Sequence, residues 1–373
     1  MFRAPDALTS VRSRHWCPVD SEMLSSLRAT STRNSIHKAL LLVNGVRHQS
    51  TKVQLQRSFL YVPSSSDRML QKSLTAGADV IIYDLEDSVP PTPHDKQTAR
   101  ERLRKFLVDR AADLKPLQVA VRVNDVSTPF FQDDMLQVVS QAVVKSIVLP
   151  KIHSTTDLDT VSDAVRLSRR RLDKPKLKVI PSIESAQGIW NLGSIASWVS
   201  PHGEVKGGVL SSLLFAAEDY CADTGIIRTP SRRELLYTRS QIVLAAKAFG
   251  LGAVDMVCVD FKDENVLRDE CIDGRQLGYT GKQAIHPSQV PIINGTYVPT
   301  VRPPEITRAT RIVKAMESAH QANKGAIELD GKMIDTPMIK QAQKILDIAR
   351  AAELPISDAR PSWTDLFITS FWF

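Results

Sequence analysis

Two carboxylates stand where apolar runs stop. Glu184 closes "KVIPSIES" and Asp219 closes "LLFAAED". A lone ionised group at such a position is costly to bury, so it must be solvated, paired or bound to a cation. No Cys or His pair lies near either in the sequence, and oxygen-only ligands suit Mg2+, or Mn2+, better than zinc. A Mg2+ held by one or two carboxylates keeps positions for water and substrate, and acts there as a Lewis acid. The competing reading is a structural ion pair between Glu184 and Lys151 or Arg122. Glu218 points away from Asp219 if the strand persists that far.

Other runs end in the same way. Their last residues include Pro63, then Asp84, Glu86 and Asp87, Arg122 and Asn124, Lys151, Asp260, and Lys282 with His286. A single strand-end carboxylate is often a helix cap. Polar residues recurring at one end of most strands are hard to explain by packing and point to an enzyme mouth. Asp84, Glu86 and Asp87 then serve to orient the metal's waters or to pair with basic residues. His286, just before Pro287, reads as a buried, satisfied histidine.

The elements that position these groups alternate β-branched runs with helical stretches, which is the pattern of a parallel sheet with crossover helices. Eight strands are expected, at 59–63, 79–87, 119–124, 146–151, 178–185, 213–219, 255–261 and 279–287. A helix is expected to open on Ser231, with Glu234 three residues on, and to stop at Gly250. Eight such units in about 230 residues, none followed by a Gly-rich dinucleotide turn, fit a closed (β/α)8 TIM barrel of the α/β class. The expected organisation is an arm over 1–50, the barrel over 58–295, C-terminal helices with a lid over 303–353 and a tail over 354–373.

Taken together, "LYVPSSSDRMLQKS", "YDLEDSVP", "VRVND", "VLPKI", "SIESAQG", "FAAEDYCADTG", "VDFKD" and "GYTGKQAIHPSQ" resemble the HpcH/HpaI aldolase superfamily in its citrate lyase beta subunit-like branch. The segment 325–346, "GAIELDGKMIDTPMIKQAQKIL", is similar to the C-terminal lid of mitochondrial members. The resemblance implies a Mg2+-dependent lyase that splits a carboxylated 3-hydroxyacyl-CoA by a retro-Claisen route, citramalyl-CoA or malyl-CoA being the expected thioesters. It makes Glu184 and Asp219 the metal ligands and Arg122 the contact to the substrate carboxylate or thioester oxygen. It places Tyr61, Arg68, Lys72, Val259 and Asp260 against CoA or substrate, and makes Asp335 the catalytic residue of a lid that reaches a neighbouring subunit. A homo-oligomer, a trimer, follows. Read without the resemblance, Arg68 and Lys72 are a solvated helix face, and Asp335 is a helix N-terminal residue. The loop "PSSSDRM" departs from relatives, which tend to carry Gly and Asn early in it. Action on another acyl-CoA, by cleavage, condensation or thioester hydrolysis, and an inactive scaffold subunit are the alternatives.

The bulk numbers exclude little else. The chain has 373 residues and a net charge of +7, of which the first fifty residues, with seven Lys/Arg against three Asp/Glu, carry more than half. That Ser- and Arg-rich arm reads as a mitochondrial transit peptide, addressing the chain to the matrix, although Asp6, Asp20 and Glu22 are atypical of one. The folded part lacks the aromatic-basic interleaving of a nucleic-acid binder. No apolar run is long enough to span a bilayer. The four cysteines share no metal-ligand or disulfide spacing, and read as free thiols. The aromatic tail (Trp363, Phe367, Phe371, Trp372, Phe373) has no assigned role.

Overall fold

The computed structural model describes residues 54–169, 175–299, 305–321 and 326–356. The basic arm over 1–50 and the aromatic end of the tail lie outside the described residues.

Nine strands form one parallel sheet: β1 (Ser58–Pro63), β2 (Val80–Asp84), β3 (Gln118–Arg122), β4 (Ser146–Leu149), β5 (Lys178–Ile183), β6 (Val209–Leu210), β7 (Ser212–Phe215), β8 (Gly252–Asp255) and β9 (Gly281–Ala284). β1 pairs with both β2 and β9, and β4 with both β3 and β5, so the sheet closes on itself. β6 and β7 are one stave interrupted at Ser211, both pairing with β5. The result is an eight-staved (β/α)8 barrel.

Alternation along the staves separates two cores. Phe59, Val80, Ile82, Ala120, Val148, Ile180, Leu214 and Val254 fill the barrel. Their neighbours, among them Leu60, Ile81, Val121, Ile147 and Leu213, pack outward against the helices. The inward rows then continue, one step on, to Tyr61, Asp84, Arg122 and Ser182. Period two therefore delivers the polar residues to the mouth.

The strands are shorter than their apolar runs suggest. The second ends at Asp84 and the fifth at Ile183, so Glu86, Asp87 and Glu184 sit in loops. The sixth stave ends at Phe215, and Glu218 and Asp219 lie in the first turn of helix Ala217–Thr224. The seventh is β8, which stops at Asp255, so "MVCVDF" is loop rather than strand. Outward-facing Asp255 explains that stop: its carboxylate is fully buried against Arg239 at 2.7 Å, in the helix layer. Helix Leu236–Ala248 follows a 3-10 turn over Arg233–Leu235, so Ser231 does not cap it; Glu234 instead accepts from the Thr229 N–H at 2.6 Å.

After helix Gln289–Thr296, the helices Glu305–Gln321 and Thr336–Ala351 pack on each other around Ile306, Ile312, Met316, Ile334 and Leu346, a cluster separate from the barrel's. Between them, β10 (Ile327–Leu329) and β11 (Lys332–Ile334) form a hairpin. Its Asp330-Gly331 turn is left-handed at both residues, as a two-residue hairpin requires. Among the described residues, no helix is long and apolar enough to cross a membrane.

Candidate active site at the barrel mouth

A cavity of about 380 Å3 opens at the C-terminal ends of the strands. Its walls include Tyr61 and Pro63 of β1, Asp84 with Asp87 and Ser88, Arg122, Ser182, Ala216 to Asp219, Val257, and Gln283 with Ile285. Of the residues singled out from sequence, the structure brings Tyr61, Asp84, Asp87, Arg122 and Asp219 to this one surface. Glu86 and Glu184 sit close behind it, 8% and 7% exposed.

Arg122 is the centre of the cationic side. Its Nε and Nη2 donate to the two oxygens of Asp84, both at 2.7 Å. Its Nη1 lies 3.0 Å from Glu86 and 3.1 Å from Asp87, and its guanidinium stacks 4.8 Å from the centre of the Tyr61 ring. The Tyr61 hydroxyl donates to Gln283 Oε1 at 3.0 Å, and Gln283 Nε2 donates to the carbonyls of Phe215 and Asp255. Tyr61 is thus a platform for Arg122. Asp84 also accepts from the backbone N–H groups of Glu86 and Ser88. Burial alone would raise its carboxyl, but Arg122 and these donors hold it below the ordinary range.

The anionic side is under-compensated. Burial pushes the Glu184 carboxyl up to about 8 even though the Lys151 N–H donates to it, because Asp219 and Glu86 add like charge. Burial likewise raises Glu86 to about 7, against the pull of Arg122 and Lys151. Among the described residues, the ion pairs of Asp84, Glu86, Asp87, Glu184 and Asp219 run only to Arg122 and Lys151, while the nearby cation Lys96 gives its hydrogen bonds to backbone carbonyls. Such an excess suits a divalent cation, and Glu184 and Asp219, which form no ion pair among the described residues, are the carboxylates that could hold it. Among the described residues, no three Cys, His, Asp or Glu side chains converge as a ligand set. An ion here would keep several positions for water and substrate, which is how Mg2+ binds.

Lys151 itself was not foreseen in this role. Its ammonium pairs with Glu86 at 3.2 Å, so the side-chain ion pair with Glu184 does not form; its backbone N–H serves Glu184 instead. That aim requires a left-handed backbone at a non-glycine residue, φ 52°, a conformation that costs about 1–2 kcal/mol and clusters at functional sites. Lys96, also unforeseen, is buried and donates to the carbonyls of Leu85 and Glu86, both at 2.8 Å, fixing the loop that carries Glu86 and Asp87. The signal lay in its position on the first amphipathic turn of helix Pro93–Asp109, which Thr92 caps.

The other expected residues lie elsewhere. Arg68 and Lys72 are exposed on helix Asp67–Ser73 just after β1, and neither pairs with a carboxylate among the described residues. Val259 and Asp260 are exposed in the loop after β8, where Val257 rather than either of them lines the cavity. Glu218 turns out to line it beside Asp219, because a helical turn does not alternate faces as a strand does. His286 is exposed, with Nδ1 2.7 Å from Ser288 Oγ, not buried. Lys282 faces the helix layer and pairs with Glu270 at 2.9 Å. Asp335 caps helix Thr336–Ala351, accepting from the Met338 N–H, and is not on this chain's cavity wall.

Residues 57–287 match the model of the family described as HpcH/HpaI aldolase/citrate lyase. The chain is 34% identical over 297 residues to "Citramalyl-CoA lyase, mitochondrial" of Rattus norvegicus, covering 79% of this chain and 86% of that protein. It is 35% identical over 295 residues to a (3S)-malyl-CoA thioesterase of Cereibacter sphaeroides, covering 79% and 95%. Among solved structures it is similar to CitE from Mycobacterium tuberculosis in complex with magnesium, acetoacetate and coenzyme A. There the TM-score is 0.61 and the identity 27%, over 80% of this chain and 98% of that one.

Proposed function

Since the chain belongs to the HpcH/HpaI aldolase/citrate lyase family, we propose that it is a Mg2+-dependent carbon–carbon lyase cleaving citramalyl-CoA to acetyl-CoA and pyruvate, with malyl-CoA as a second substrate. The observation that carries this reading is the strand-end cavity walled by Asp219 and by Arg122, which is clamped on Asp84, with Glu184 buried beside it; among the described residues neither Glu184 nor Asp219 forms an ion pair. The names of its relatives, and the magnesium and coenzyme A bound to CitE, support it.

Bound Mg2+ supplies Lewis-acid polarisation of the substrate's carboxylate and hydroxyl oxygens. The protein's residues do the rest. Cleavage removes the hydroxyl proton, breaks the Cα–Cβ bond and leaves a thioester enolate, which takes up a proton to become acetyl-CoA. Arg122 holds the enolate oxygen as its charge develops. Two of its N–H groups are committed to Asp84, so the thioester oxygen is received at Nη1, which now faces buried Glu86 and also Asp87, an acid whose side chain is 64% exposed and easily displaced. Asp335 exchanges the protons. It arrives on the lid of a neighbouring copy, which makes the active form a homo-oligomer, a trimer. Closure of that lid keeps water from the enolate. Arg68 and Lys72, exposed beside β1, and the loop residues Val259 and Asp260 take the CoA portion. The basic arm and the mitochondrial relatives support a matrix location.

The test is acetyl-CoA release from citramalyl-CoA and malyl-CoA by protein lacking residues 1–50, with Mg2+, with EDTA, and in Glu184→Ala and Asp335→Asn variants. Turnover lost under EDTA and in both variants supports the reading. Free CoA in place of acetyl-CoA would make the protein a thioesterase, as the Cereibacter relative is named. No cleavage and no Mg2+ binding would refute it.

A further inference from the structure

Resting on the Mg2+ reading above, we infer that Arg228 is a positioning residue for the cation site, setting the direction of Asp219 through its neighbour Glu218. Helix Ala217–Thr224 carries both acids in its first turn, and both line the cavity. The turn has no side-chain cap, because residue 216 is alanine; its backbone N–H ties back to Ile183 at 3.2 Å. Adjacent helical residues are fixed about 100° apart around the axis. A restraint on Glu218 therefore restrains the orientation of Asp219.

Arg228 supplies that restraint from behind the wall. Gly225 ends the helix in a left-handed conformation, φ 73°, and the reversed chain brings Arg228 back beside the first turn. Its guanidinium, in a side chain only 13% exposed, then reaches three elements. It pairs with Glu218, with Glu270 of helix Glu264–Leu277 at 2.8 Å, and with the carbonyl of Val257 in the loop after β8 at 3.1 Å. Glu270 is itself fixed by Lys282 of β9 at 2.9 Å, and Lys282 also donates to the Met256 carbonyl at 2.8 Å. A strut thus runs from β9 through Lys282, Glu270 and Arg228 to Glu218, ending one residue from a metal ligand. Arg228 does not line the cavity among its described walls, so it acts through the residues that do.

The sign of the effect separates this role from two simpler ones. A cation near a Mg2+ site repels the ion, so deleting Arg228 tightens binding if only its charge matters. A general stabiliser lowers the melting temperature and leaves affinity alone. A positioning residue weakens Mg2+ binding when removed, by about tenfold or more, as supports behind metal ligands do. The experiment is a calorimetric Mg2+ titration of EDTA-stripped full-length protein, with thermal unfolding alongside, for wild type, Arg228→Met, Arg228→Lys, Glu218→Ala and the Arg228→Met/Glu218→Ala double variant. Weaker binding in Arg228→Met, with no further loss on adding it to Glu218→Ala, supports the inference. Unchanged or tighter binding overturns it, as do additive losses in the double variant. If Arg228→Met does not fold, Arg228→Lys decides: it keeps the charge but cannot span three partners, so weaker binding supports and equal binding overturns. Wild-type protein that fails to bind Mg2+, or binds it regardless of Glu184→Ala, would refute the metal reading itself.

Discussion

Replacing Asp84 by asparagine keeps its shape and removes its charge, and the geometry states the cost. Oδ1 accepts from Arg122 Nε at 2.7 Å and from the Glu86 N–H at 3.0 Å; Oδ2 accepts from Arg122 Nη2 at 2.7 Å and from the Ser88 N–H at 3.1 Å. Every donor is an N–H. Whichever way the asparagine amide turns, its NH2 replaces one of these oxygens and faces two donors, so two hydrogen bonds are lost. The Asp84 side chain is 3% exposed and that of Arg122 17%, so water cannot readily repair the loss. Each bond lost with a buried partner left behind costs about 1–3 kcal/mol, so two give about 2–6 kcal/mol, which spans the roughly 3–5 kcal/mol found when a buried ion pair loses one member. Urea unfolding at pH 7 measures it through the shift in midpoint. Acetyl-CoA release by the folded variant should fall about a hundredfold, mostly in kcat, because the guanidinium loses its fixed direction. Asp87→Asn is the control: its exposed pair with Arg122 should contribute under about 1 kcal/mol. A shift for Asp84→Asn no larger than for Asp87→Asn, with kcat kept, would refute the clamp.

Glu270 is held below its ordinary 4.5, since Lys282 and Arg228 outweigh the upward effect of burial. A depressed carboxyl stabilises the fold above its unfolded value, and that contribution disappears as pH falls through the folded one. Urea midpoints should therefore decline below about pH 4.5 in the wild type, and more shallowly in Glu270→Gln, which starts lower at pH 7; parallel profiles would count against the triad. Gly281→Ala would put a Cβ 2.5 Å from the Gln56 carbonyl oxygen and 2.6 Å from that of Arg57. Backbone must move, at about 1–3 kcal/mol, and a thermal-unfolding midpoint equal to wild type would show that β9 adjusts freely. Lys151→Gly keeps the N–H that serves Glu184 and relieves the left-handed strain, while losing a half-exposed ammonium worth under about 1 kcal/mol. Stability and Mg2+ affinity should both hold, and a large fall in affinity would mean that the ammonium matters more than the backbone.

The barrel was legible because its signal is repetitive: eight apolar runs each followed by a helix-like stretch, with inward residues alternating until polar ones replace them. What sequence misplaced was where each strand stops. "LLFAAED" and "DMVCVDF" read as strands to their ends, yet the first turns into a helix at Ala217 and the second leaves the sheet after Asp255. Apolar content cannot mark those points; they are set by contacts from distant segments, namely Arg239 on Asp255 and the Ile183 carbonyl on the Ala216 N–H. The same limit applies to the site. Glu184, Asp219 and Arg122 were visible as charges ending apolar runs, whereas Lys96, the backbone of Lys151, and Arg228 were not, since each acts through a carbonyl, an N–H or a carboxylate far away in the chain. The residues a sequence reveals at this mouth are charges that end apolar runs. Those that brace them are found only once the staves are closed: Lys96 on the carbonyls of Leu85 and Glu86, the Lys151 N–H on Glu184, and Arg228 on Glu218 are the supports on which this acid-rich mouth, suited to a cation, is built.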